Sequence, residues 1–312
     1  MRILFLNRTH DLLPQGLRAM GHEIIENLTD DYEQIRAQIS DYEGIVFRSR
    51  INIDRDFLDA AQHLRFIARA GAGLEHIDTD YAKSVGIPIL SSPEGSRDAV
   101  GEHALGMLLG LVHHLSRADR QVRGGQWIRE GNRGTELRNK TVGIIGYGNM
   151  GQSFARKISG LGVRTIAYDK FRIAYGDDYA TEVSLRTLFQ EADIVSLHIP
   201  YLAENHYFVD DTFLSQFAKP IFLVNTARGI VLNTADLVQH LKAGTVLGAA
   251  LDVLEYEEGS FQQMSLKNLP PAFQYLVEAD NVVLAPHIAG WSVESRKGHA
   301  AVLLDKIRTL LG

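Results

Sequence analysis

Three glycines, Gly146, Gly148 and Gly151, in the run TVGIIGYGNMGQSFARKISGLGVRTIAYD constrain this chain more than any other feature. A strand-like apolar stretch precedes them, a stretch with helical spacing follows, and Asp169 closes a second strand-like run. In such a βαβ unit the first glycine allows a tight turn, the second lets backbone approach a pyrophosphate, and the third lets the helix pack closely on its strand. The helix N-terminus then presents partial positive charge to the phosphates. Asp169 stands eighteen residues after Gly151, where a carboxylate can accept hydrogen bonds from the adenosine ribose hydroxyls. A 2′-phosphate would meet like charge there, so NAD is expected over NADP, with Lys170 weakening the discrimination slightly. The competing reading is a glycine turn with a purely structural role.

The rest of the chain agrees with an enzyme of small molecules. Its 312 residues allow two domains, and 45% hydrophobic with 22% charged residues describes an ordinary globular protein. A net charge of -6 gives no field that would draw nucleic acid or an anionic membrane. There is no cysteine, which excludes disulfides, thiolate catalysis and cysteine-ligated metal, and agrees with a reducing compartment. The opening MRILFLNRTH reads as a first strand and not as a signal peptide. The longest apolar run, ALGMLLGLV at 104–112, falls well short of the roughly 20 residues that span a bilayer. A cytoplasmic location is the expectation.

Before the glycine motif, strand-like runs RILFLN, HEIIEN, GIVFRS, RFIARA and IPILSS alternate with helical runs near 12–20, 31–40, 54–62 and 78–84. That alternation predicts a parallel sheet covered by helices on both faces. From Arg97 to about Arg123 one long helix is expected, with Val100, Ala104, Met107, Leu108, Leu111 and Leu115 at three- and four-residue steps. RGGQWIREGNRGTELRNK reads as a loop. The alternation restarts with six strands, TVGIIG, VRTIAYD, DIVSLH, IFLVNTA, VLGAALDV and NVVLAPH, which is what a complete dinucleotide domain needs. Ser292 to Leu311 is helical again and is expected to pack back on the first domain.

Candidate chemistry sits where strands of the second half end, which is where a doubly wound sheet opens its crevice. Arg228 follows IFLVNTA, Asp252 ends GAALDV, Glu257 lies five residues on, and His287 follows NVVLAP. Singly these read as a surface ion pair, a loop acid and a satisfied histidine. Arriving at successive strand ends of a cofactor-binding sheet, they describe a hydride-transfer site. Arg228 can fork onto a substrate's carboxylate and carbonyl oxygens. His287 can give a proton during carbonyl reduction and take one during alcohol oxidation. Glu257, bonded to the imidazole, would orient it and favour its charged form, while Asp252 is expected to position the nicotinamide end of the cofactor.

At these residues the chain resembles the D-isomer-specific 2-hydroxyacid dehydrogenase family, through ARAGAGLEHID, GYGNMG, LHIP, NTARG, AALDV and PHIAG. The resemblance covers nearly the whole chain. It implies a flavodoxin-like substrate domain from both chain ends, residues 1–98 and 290–312, and an NAD-binding Rossmann domain over 99–289. It implies a catalytic set of Arg228, Glu257 and His287, with dimerisation through the cofactor domain. Cofactor contacts are expected at Gly146, Gly148, Asn149, Met150, Gly151, Asp169, Ile199, Pro200, Thr226, Ala227, Arg228, Asp252, His287 and Gly290. Backbone N–H groups of Ala70, Gly71, Ala72 and Gly73 would bind the substrate carboxylate. Within the family RAGAG and GTELRNKTVGIIGYG look most like the phosphoglycerate dehydrogenases, which makes 3-phosphoglycerate and 3-phosphohydroxypyruvate the expected pair. Arg48, Arg50 and Arg69, at the ends of GIVFRS and RFIARA, can then meet the phosphate, or form a solvated basic edge.

Three departures bear on this reading. Glu257 is followed by Glu258 and Gly259 where the family has proline, so Tyr256 and Glu258 compete with it, and its position five residues after Asp252 favours Glu257. The stretch 259–280 is longer than usual, an added helical turn or a lid, with Phe261, Phe273 and Tyr275 read as packing. The chain ends at Gly312, so a C-terminal regulatory domain and its serine feedback are not expected. His113-His114 and Glu102-His103 lack zinc spacing and read as surface or packing residues; no metal is expected. Trp127 and Trp291 read as core or interface anchors, Trp291 with the better case for touching substrate. The alternatives are a glyoxylate/hydroxypyruvate reductase, a D-lactate-type dehydrogenase, or an NAD(H)-sensing corepressor-like interaction protein.

Overall fold

The computed structural model describes residues 1–257 and 270–312. The chain divides into two compact units, Met1–Arg97 with Trp291–Gly312, and Asp98–Gly290.

The first unit is a five-stranded parallel sheet built from β1 (Arg2–Phe5), β2 (Glu23–Glu26), β3 (Gly44–Phe47), β4 (Phe66–Arg69) and β5 (Ile89–Ser91). The order β2-β1-β3-β4-β5 is the flavodoxin-like winding. β3 is buried at every position, as a central strand covered on both faces must be. The intervening helices start where an aspartate can cap them: Asp31, Asp54 and Asp78 each accept a hydrogen bond from a first-turn N–H. The helix Val293–Leu311 belongs to this unit and opens on a Ser292–Ser295 capping box. Its Ala300, Leu303 and Ile307 pack with Ile3, Phe5, Leu13, Leu17 and Phe66. Each fully buried leucine or isoleucine there stabilises by about 1.5–3 kcal/mol.

The second unit has seven parallel strands: β6 (Thr141–Ile145), β7 (Arg164–Tyr168), β8 (Thr181–Glu182), β9 (Ile194–Leu197), β10 (Ile221–Asn225), β11 (Val246–Leu251) and β12 (Val282–Leu284). The order β12-β11-β10-β9-β6-β7-β8 is the dinucleotide-binding winding with one strand added. Two apolar cores cover its faces. One gathers Leu188, Phe213, Leu237 and Leu241, and the other Leu108, Phe154, Ile158 and Tyr147. β6 and β9 are neighbours whose flanking connections run opposite ways, so the crevice opens at their C-terminal ends.

Two expectations need correction. The sheet has seven strands, because β8 is only two exposed residues and carries no apolar pattern to read. The long helix is two helices, Arg97–Val112 and Leu115–Arg123. His114 between them adopts φ 55, a left-handed conformation that ends a right-handed helix. Past that break Leu115 points into solvent, 57% exposed, instead of continuing the buried stripe. Of the 259–280 stretch, residues 259–269, Phe261 among them, lie outside the described residues, as does Glu258. Phe273 is buried, and Tyr275 packs at the edge of the core that contains Leu276. Among the described residues no helix is long and apolar enough to cross a membrane.

Candidate active site

The glycine turn follows directly from β6. Gly146 has φ +90, and a β-carbon there would lie 2.6 Å from the His198 carbonyl oxygen. A β-carbon on Gly151 would lie 2.1 Å from the Gly146 carbonyl oxygen, so only glycine lets the helix Asn149–Ile158 start this close to its strand. Gly148, its N-cap, differs: a β-carbon there meets nothing within 4 Å. The space above the helix N-terminus is open, as a pyrophosphate requires. Asp169, just past β7, accepts hydrogen bonds from the N–H groups of Tyr147 (2.8 Å), Phe171 (2.9 Å) and Arg172 (3.1 Å). The acid is thereby tied to the glycine turn. Lys170 beside it pairs with Glu204 at 2.9 Å. At the end of β10, Thr226 keeps a buried hydroxyl oxygen with no hydrogen-bond partner among the described residues.

β10, β11 and β12 are adjacent in the sheet, so the residues that follow them share one edge. After β10, Asn225 braces the NTARG turn, accepting from Ala227 N (3.0 Å) and donating to Arg228 O (3.2 Å). A β-carbon on Gly229 would lie 2.0 Å from the Leu254 backbone, so this turn rests on the segment after β11. In that segment Leu254 N donates to Glu257 Oε1 at 2.5 Å. The other oxygen, Glu257 Oε2, lies 2.6 Å from His287 Nδ1. Contacts therefore run from the Arg228 turn through Leu254 and Glu257 to His287. The carboxylate fixes Nδ1 as the protonated nitrogen.

His287 stands at φ 56, an uncommon conformation for a residue with a β-carbon. Asp252 holds it there. Its carbonyl accepts from His287 N (2.7 Å), and its carboxylate oxygens accept from Ile288 N and Ala289 N (both 2.9 Å). Burial pushes the Asp252 carboxyl up, but His103 and these two N–H groups outweigh it and hold it below the usual carboxylate range.

A model of the D-isomer specific 2-hydroxyacid dehydrogenase NAD binding domain matches residues 105–289. The chain belongs to the D-isomer specific 2-hydroxyacid dehydrogenase family. It is 33% identical over 299 residues to a hydroxypyruvate reductase of Thermotoga maritima, covering 94% of this chain and 93% of that one. To a D-3-phosphoglycerate dehydrogenase of Archaeoglobus fulgidus it is 31% identical over 312 residues, 98% of this chain but 56% of that one. Among solved structures, the D-lactate dehydrogenase of Aquifex aeolicus complexed with NAD and lactic acid aligns with TM-score 0.82 at 26% identity, covering 100% of this chain and 95% of that one. This dehydrogenase is accordingly an NAD-dependent oxidoreductase. The glycine turn, the open space at Gly148 and the unpartnered Thr226 hydroxyl all suit that cofactor.

In the first unit the residues expected to meet substrate part ways. Arg50 donates to the carbonyls of Leu6 (3.0 Å), Asn27 (2.6 Å) and Asp30, so it is a strap across loops and not a substrate cation. Arg48 lies 4.5 Å above the Trp291 ring, and burial, with Arg296 adding like charge, lowers its pKa. It has no ion-pair partner among the described residues. Ala70 N donates to Phe47 O (2.8 Å) and Gly71 N to Ser92 Oγ (3.1 Å). Those two N–H groups are committed to the fold, which corrects the expectation that all four of this loop face substrate. Sequence reasoning also missed two residues. Arg172 donates to the Tyr147 carbonyl in the glycine turn, and His103 approaches Asp252.

Proposed function

We propose that the enzyme interconverts a D-2-hydroxy acid and its 2-oxo acid with Arg228, Glu257 and His287 as catalytic residues, and that the pair is 3-phosphoglycerate and 3-phosphohydroxypyruvate. The observation that carries the chemistry is the 2.6 Å contact between His287 Nδ1 and Glu257. NAD, when bound, supplies the acceptor for the two electrons and hydrogen that leave C2. Gly148, Asn149 and Met150 at the helix N-terminus would hold its pyrophosphate and Asp169 its ribose. Ile199, Pro200, Thr226, Ala227 and Gly290 would line the rest of its path. Arg228 orients the substrate through its carboxylate and C2 oxygen. In oxidation, His287 Nε2 takes the hydroxyl proton; in reduction it returns one to the carbonyl oxygen, with Glu257 holding the ring throughout.

For the substrate, the first unit offers Arg48 and Arg296 near one another, with no acid paired to Arg48 among the described residues. A partly buried guanidinium with a second, exposed one nearby favours an anion. Arg48 and Arg69 are proposed to meet the phosphate, and the Ala72 and Gly73 N–H groups the carboxylate. The competing reading is an unphosphorylated 2-oxo acid, favoured by the Thermotoga maritima hydroxypyruvate reductase, which matches over 93% of its length. NADH oxidation followed with 3-phosphohydroxypyruvate, hydroxypyruvate, glyoxylate and pyruvate decides between them. The phosphorylated acid should show kcat/KM at least about tenfold above the others, the worth of one charge-assisted contact. Arg48→Ala should erase most of that margin. A higher kcat/KM for hydroxypyruvate in the wild type ends the phosphate reading and leaves the chemistry standing.

The same reading includes a cytoplasmic location, supported by the cysteine-free chain. It also includes a homodimer formed through the second unit, which leaves Trp127 80% exposed.

A further inference from the structure

The Asp252 carboxylate meets a second histidine. His103 lies on the helix Arg97–Val112, and its Nε2 is 3.2 Å from Asp252 Oδ1. That nitrogen is buried and makes no well-aligned hydrogen bond among the described residues, so its close approach to this carboxylate is the polar contact it has. The ring as a whole keeps 23% of its surface, while the Asp252 side chain keeps none. On its other side Asp252 receives the N–H groups of His287, Ile288 and Ala289, the three residues of the turn that carries the imidazole. A buried carboxylate holds such a turn only while it is charged and fully partnered. Two backbone amides alone leave it short of that, and His103 is the side chain that completes the set. The left-handed φ of His287 makes the dependence sharper, since a strained residue relaxes once its surroundings loosen.

We propose that His103 is a positioning residue for the reaction: it holds the Asp252 carboxylate, which fixes the 287–289 turn and so the placement of the His287 imidazole. This rests on His287 as the proton-transfer group. A histidine that only packs against the sheet would affect folding, not the turn.

Hydrogen exchange at the Ile288 and Ala289 amides in the apoprotein reads the turn without any turnover. His103→Leu should speed that exchange about tenfold, the worth of a charge-assisted hydrogen bond. It should lower kcat by a similar factor and leave NADH affinity as in the wild type. His103→Gln, whose amide nitrogen can reach the same oxygen, should restore most of both. Where His103→Leu does not fold, His103→Asn, with a shorter reach, takes its place. Unchanged exchange in the variant overturns the proposal, as does a loss confined to NADH affinity. Faster exchange with undiminished kcat overturns it too, unless His287→Ala also keeps its turnover, which places the failure in the proton-transfer role of His287 instead.

Discussion

His287 combines a strained backbone with a firmly held side chain, and the two belong together. Four hydrogen bonds converge on three successive residues: three from the turn to Asp252 and one from Nδ1 to Glu257. Removing the imidazole takes away the proposed proton carrier without touching the glycine turn. His287→Ala should lower kcat by about 10²–10⁴, the usual worth of a general acid–base group, with NADH affinity unaltered by fluorescence titration. Retention of most turnover would transfer the role to another residue. His198 behaves differently. It is buried beside the glycine turn with Nε2 2.9 Å from Ser196 Oγ, and burial pushes its pKa down to about 3. Below its ordinary pKa of 6.5 the unfolded chain protonates this ring and the folded one does not. The unfolded state then binds more protons, so stability falls as pH drops from 6.5 towards 3. By pH 5 this amounts to about 2 kcal/mol. In urea melts at pH 7.5 and pH 5, His198→Gln should lose about 2 kcal/mol less than the wild type between the two; equal losses would mean that the folded state accommodates the charged ring. The places of Arg228, Glu257 and His287 at the strand ends are legible from sequence because each comes after a recognisable strand. Arg50 and His103 are not, since their partners are carbonyls and a carboxylate far away in the chain.

The glycine turn separates two demands that one motif serves at once. Gly146 and Gly151 are glycines because neighbouring backbone fills the place of a β-carbon, whereas the same position on Gly148 is open. Gly151→Ala should therefore destabilise the apoprotein, by about 1–3 kcal/mol as other overpacked sites do. Gly148→Ala should leave its thermal midpoint in place and weaken NADH binding about tenfold or more, a change of about 1.4 kcal/mol. A drop in midpoint for Gly148→Ala, or unchanged NADH binding, would contradict this division. Strands and helices were readable where they bury a continuous apolar run, as in β3, or a periodic face, as in the helix Val293–Leu311. β8 was not, because a two-residue exposed strand is defined by its neighbour β7 and not by its own side chains. The helix end at His114 was also hidden, because neither glycine nor proline marks it and Leu115 continues the apolar spacing.

At the level of the whole chain, alternation of strand and helix was enough to read two parallel sheets, since parallel neighbours are usually connected by a crossover through a helix. The charge and apolar character left on the surface is less direct evidence, and it bears on assembly. The helix Leu115–Arg123 buries none of its residues. Its large apolar side chains, Leu115 and Val122, are seven residues apart and therefore share a face. Trp127 and Ile128 add exposed apolar surface immediately after it. Monomeric proteins rarely leave so much apolar surface together, and tryptophan is among the residues most enriched at interfaces. In a symmetric dimer a single such patch would cover itself on the second copy. Light scattering on the wild type should then give twice the 34.7 kDa chain mass at micromolar concentration. A Val122→Lys, Trp127→Lys double variant should give the single-chain mass with its far-UV spectrum preserved, because neither side chain supports the core of its own chain. A monomeric wild type, or a double variant that stays dimeric, would move the interface away from this helix.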